Sequence, residues 1–236
     1  MFDILRSERR STDRQFPDAP ATSPPRFAVP VGAAMLAATV LIAVTVSDPR
    51  TSVLRGIDDS WARQMTGSSG GTATVLATCV EAWFGGPTGL MMPIALIGWL
   101  LVCRRWWSAL YALTACVLVN LVLILPLKDA VDRAHPRDPL TMVSQGSFPS
   151  GHAFGAAALV IALGALLLRR AWRGRWWTVG AGFTAIVMWS GTWVHDSWLS
   201  DTVAGALSGA GASLLLWRAF APLLRRETQA AAAGLG

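Results

Sequence analysis

The chain has 236 residues, of which 53% are hydrophobic and only 14% charged, with a mean hydropathy of +0.45. An ordinary soluble domain carries about 25% charged residues, so that class is excluded and a membrane protein is the first reading. The formal charge of +6 comes from 20 Lys+Arg against 14 Asp+Glu, and these cations cluster beside apolar runs rather than on one face, so no nucleic-acid partner is expected.

Residues 1–26 are rich in Arg, Ser, Asp and Pro without sustained periodicity and read as a mobile tail. The first apolar run, 28–46, has no small-residue cleavage site before a soluble domain and reads as a retained span. A membrane-crossing helix needs about 20 mostly apolar residues, and five more stretches near that length follow at 87–103, 107–126, 153–168, 176–194 and 202–222. The expected fold is therefore all-α, a six-transmembrane-helix bundle over 27–222 with short tails at 1–26 and 223–236.

Between the first two spans, Val53, Leu54, Ile57, Trp61 and Met65 recur at helical spacing, with Arg55, Asp58, Asp59 and Arg63 between them. This is the pattern of a helix on the membrane surface, read as a structural lid over the outer ends of the bundle. The Gly-rich stretch Gly67–Gly71 separates it from a second helical run at about 73–84. Trp106, Trp107, Trp172, Trp176, Trp177 and Trp217 lie near span ends, as headgroup-layer anchors do. In the last span Gly205, Ser208, Gly209 and Ala212 form small-xxx-small pairs that permit close helix packing. Cys79, Cys103 and Cys116 have neither CxxC nor Cys/His spacing, so they read as apolar fillers, not as a disulfide framework or zinc site.

Lys/Arg excess marks the cytoplasmic side of a membrane protein. Six spans with both termini inside assign 14 of the 20 cations to the cytoplasm and nine of the 14 acids to the other face. Both termini are therefore expected in the cytoplasm.

Three chemistry-bearing segments then fall on the outer side: Lys128–Arg137, Ser147–His152 and His195–Asp201. Ser150 precedes an apolar helix and is a candidate N-cap, where free backbone N–H groups and the helix dipole favour an anion. Gly151 leaves room for phosphoryl oxygens, and Lys128 and Arg133 can neutralise their charge. His195 and Asp201 flank a tight turn in which the carboxylate could orient the imidazole as nucleophile or base. His152 could then protonate the leaving oxygen. Arg137 and Asp138, beside prolines, read as a solvated turn.

These segments resemble the signatures of the type 2 phosphatidic acid phosphatase superfamily, the lipid phosphate phosphatases: K-x6-R-P, then P-S-G-H, then S-R-x5-H-x3-D. Pro149-Ser150-Gly151-His152 matches completely, and the resemblance runs from Lys128 to Gly205. It implies His195 as nucleophile through a phosphohistidine, Asp201 as its orienting carboxylate, His152 as acid, and Lys128, Ser150 and the Gly151 amide as phosphate ligands, with no metal or cofactor. Two departures stand out. The arginine of the first motif is His135 here, and that of the third falls on Trp189. Asp201 follows His195 after five residues instead of three, with Asp196 as a competitor. Arg133 is the expected substitute cation, with His135 beside it in the phosphate site.

The resulting expectation is a metal-independent phosphatase of the cell membrane, cleaving a lipid phosphate or polyprenyl pyrophosphate at the extracytoplasmic face. Its partners are the lipid substrate and membrane lipids; the sequence leaves oligomeric state open. The alternatives are a lipid phosphotransferase and a non-catalytic lipid-phosphate binder, with a transporter the weakest because few ionisable residues lie within the spans.

Overall fold

The computed structural model describes residues 23–48, 53–65, 71–84, 86–140, 146–168 and 170–233. The tail over 1–22 and residues 67–70 of the Gly-rich stretch lie outside them. The described residues form helices α1 (Ala28–Ser47), α2 (Arg55–Met65), α3 (Thr72–Phe84), α4 (Met91–Val102), α5 (Trp106–Val131), α6 (Gly151–Leu166), α7 (Arg173–Trp193) and α8 (Leu199–Ala232). Single helical turns at Gly86–Gly89 and Arg170–Trp172 join their neighbours, and no strand occurs among the described residues. The all-α expectation holds.

By length and composition α1, α5 and α8 can each cross a membrane, while α3, α4 and α6 are apolar but shorter. The run expected at 87–103 is interrupted. Gly89 turns the chain so tightly that a Cβ there would lie 2.2 Å from the Phe84 carbonyl, and α4 starts only at Met91. Val40, Leu41, Val44 and Val122 point outward and are well exposed. Such a surface suits lipid, with backbone polar groups satisfied inside each helix.

The small-residue central helix α6 buries twelve of its sixteen residues. Helix α8 packs along α6 and α1, α7 lies against α6 and α3, and α4 pairs with α5. The predicted close packing of the last span is realised on α6: a Cβ on Gly205 or Gly209 would lie 2.2 or 2.3 Å from the carbonyls of Ser150 and Phe154. The core gathers Leu100, Tyr111, Phe154, Leu166, Trp217 and Leu224.

Three expectations are corrected. Helix α8 does not stop at residue 222 but continues through Pro222 to Ala232, because Leu224 is buried in the core and Glu227 accepts from the Trp107 amide at 2.7 Å. Trp217 is not an interfacial anchor; it is fully buried, with Trp177 6.5 Å away and the Arg173 guanidinium 4.7 Å over its ring. Of the cysteines only Cys116 is buried, whereas Cys79 and Cys103 are exposed.

Candidate active site

The end of α5, the starts of α6 and α8 and the end of α7 meet at one end of the bundle. Asp132 ends α5 in the left-handed conformation, at φ 41°, and turns the chain into Arg133–Arg137. The irregular stretch before α6 returns beside it, with the Ser147 amide donating to the Arg133 carbonyl at 2.8 Å. Ser150 caps α6 as expected, its hydroxyl accepting from the Ala153 amide at 3.4 Å. Its own amide donates to the Asp201 carbonyl at 3.0 Å, which ties the second segment to the third. A Cβ on Gly151 would meet nothing within 4 Å, so this backbone is open to close approach.

Two histidines meet at Asp196, and the third is its chain neighbour. One ring nitrogen of His135 contacts the Asp196 carbonyl, Nδ1 of His152 is 3.8 Å from its carboxylate, and His195 precedes it in the chain. His195 is nearly buried and held at φ 59°, a conformation rare and strained for a residue with a Cβ. At its Nδ1 stands the Arg137 carbonyl, 2.9 Å away. That orienting place was expected for Asp201, but the longer turn puts the Asp201 carboxylate to other uses. Asp201 is fully buried; one oxygen accepts from the Trp198 amide at 3.0 Å and the other pairs with Arg133.

Arg133 likewise differs from its expected part as the substitute phosphate cation. Besides Asp201 it pairs with Asp58 at 2.7 Å, donates to the Ser200 hydroxyl at 2.8 Å and lies 5.4 Å over the Trp198 ring. Its charge is thus met by two carboxylates. Lys128 donates to the Gly146 carbonyl. Trp189, in the place of the third motif's arginine, packs 5.3 Å from Trp193.

Two carboxylates that the sequence reading did not single out belong to this end. Asp58 was placed among the polar residues of α2, yet it is buried and accepts from the Ser200 amide and hydroxyl at 2.9 and 2.7 Å. This polar anchor docks α2, while Ile57 of the expected apolar stripe is 57% exposed. Glu81, the sole Asp or Glu in α3, is 4% exposed, ion-pairs with His152 Nδ1 and accepts from the Ser190 hydroxyl at 3.1 Å. A lone acid in an otherwise apolar helix is the signal that could have found it. Glu81, His152 and Asp196 each offer a ligand atom within 4.8 Å of the others, so they are also the residues that could hold a cation.

The arrangement can bind an anion at an open helix start, with the imidazoles of His135 and His152 beside Asp196 available for proton transfer. Among comparisons with known proteins, the PAP2 superfamily model matches residues 105–225. A search of curated proteins gives no match. A similar solved structure is that of a transmembrane PAP2-type phosphatidylglycerolphosphate phosphatase from Bacillus subtilis, at 17% identity and a TM-score of 0.68, covering 78% of this chain and 93% of that one.

Proposed function

The chain belongs to the PAP2 superfamily, and from that premise we propose that it is a membrane phosphatase that hydrolyses a lipid phosphate or polyprenyl pyrophosphate through a phosphohistidine on His195. The observation that carries this reading is the meeting of His135 and His152 at Asp196, the residue that follows His195 in the chain, with the open start of α6 at Gly151.

Donation of Nδ1–H to the Arg137 carbonyl leaves the lone pair of His195 on Nε2. Nε2 attacks phosphorus, the bond from phosphorus to the leaving oxygen breaks, and His152 gives that oxygen its proton. Water then attacks the phosphohistidine, His152 recovers a proton, and phosphate leaves. Lys128, His135, Ser150 and the Gly151 amide hold the phosphoryl oxygens, while Arg133 and Asp201 brace the turn that carries the nucleophile. These steps need only the side chains named. In the same reading the chain spans the membrane six times with both termini cytoplasmic, and the site takes headgroups at the extracytoplasmic face.

A second reading, a non-catalytic lipid-phosphate binder, draws on one observation: Arg133 is matched by Asp58 and Asp201, and Trp189 stands where the family carries an arginine. Purified protein in detergent separates the two. Phosphate release from polyprenyl pyrophosphate, phosphatidic acid or phosphatidylglycerophosphate, resistant to EDTA and lost in His195→Ala, is the expected result. A folded protein that binds these lipids without turnover would support the binder.

A further inference from the structure

Glu81 lies outside residues 105–225, the part that matches the PAP2 model, yet it reaches the candidate acid of the reaction. A carboxylate buried in an apolar helix is unfavourable unless its charge is matched. Ser190 provides one hydrogen bond, at 3.1 Å, and the ion pair with His152 Nδ1 provides the charge. The other charged groups facing this imidazole are the Asp196 carboxylate, 3.8 Å away, and the Lys128 ammonium, which opposes it.

We propose that Glu81 is the positioning residue for His152, holding the Nδ1 proton so that Nε2–H is the proton delivered to the leaving oxygen. This rests on the phosphatase reading above. The pair enters the reaction as imidazolium and carboxylate. On cleavage the Nε2 proton moves to the leaving oxygen while the Nδ1 proton stays on the ring, paired with the Glu81 carboxylate, and the attacking water returns a proton to Nε2 in the second step. Burial opposes a charged ring, but the Glu81 carboxylate at Nδ1, with Asp196 behind it, outweighs burial and Lys128, so the acid stays charged to higher pH than an unpartnered histidine would. Glu81 thus does for the acid what the Arg137 carbonyl does for the nucleophile: it selects the nitrogen that reacts.

The test is the pH profile of kcat and KM for short-chain phosphatidic acid, with the full-length protein in detergent. Glu81→Gln keeps the shape and an acceptor for Ser190 but removes the charge. It is expected to lower kcat about 10–100-fold with little change in KM, and to move the alkaline limb of the kcat profile down by about one pH unit; Glu81→Asp should recover part of both. An unchanged limb overturns the proposal, whether kcat holds or falls together with the melting temperature. Turnover abolished by EDTA and restored by manganese in the wild type, but not in Glu81→Gln, overturns it in favour of a cation held by Glu81, His152 and Asp196. Wild-type protein inert toward every lipid tested removes the phosphatase reading itself, and the proposal with it.

Discussion

At one end of the bundle, Glu227 near the close of α8 accepts from the amides of Trp107 and Ser108, at 2.7 and 3.2 Å, with Arg105 3.7 Å away. At the other, Asp201 in the first turn of the same helix accepts from the Trp198 amide and pairs with Arg133, which also holds Asp58. Both ends use one device, a carboxylate that satisfies helix-start amides and is neutralised by an arginine. The first end stops there, its arginine donating also to the Leu166 carbonyl at 3.3 Å. The second adds three histidines, Glu81 and Asp196. An arginine–carboxylate pair at a helix end thus occurs in both places, and the imidazoles are what set the candidate site apart.

The largest effect that would sharpen this contrast is on turnover. His195→Ala should reduce phosphate release at least about a thousandfold, as loss of a nucleophile does, with the melting temperature nearly unchanged; measurable turnover near the wild-type rate would erase the distinction between the ends. Next, Arg133→Ala leaves Asp58 and Asp201 buried without their cation and should destabilise the protein by roughly 3–5 kcal/mol, read by thermal unfolding in detergent. Full stability combined with lost lipid affinity would instead return Arg133 to the phosphate-binding part that the sequence suggested. Between the ends, Gly209→Ala drives a Cβ into the Phe154 carbonyl and should destabilise by about 1–3 kcal/mol, lowering activity only as far as α6 shifts. The smallest effect belongs to the opposite end: Glu227→Ala removes a helix-start acceptor, about 1 kcal/mol, and should leave kcat and its pH profile unaltered.

Much of the helical layout was legible along the chain because apolar length and turn residues act locally. The N-cap at Ser150, the close packing at Gly205 and Gly209 and the separation of α2 from α3 follow from the residues at those positions. The misreadings share a cause. Trp217, Asp58 and Glu227 were assigned from position along the chain, whereas each takes its environment from a distant partner: Trp177 for the first, Arg133 for the second, Trp107 for the third. A carboxylate on an amphipathic helix looks solvated until the residue opposite it is known.

The same division runs through the site. Composition and motif order by themselves determined a helical membrane chain of this family and the expectation of phosphate chemistry in three segments, since helix length, capping and residue type are local properties. Only the tertiary structure decided which groups share a charge. The partner of His195 became a backbone carbonyl, Arg133 was taken up by two acids, and Glu81 came to His152 from 71 positions earlier in the numbering. Ion pairs form between side chains that packing brings within a few ångströms, and no spacing along the chain encodes that.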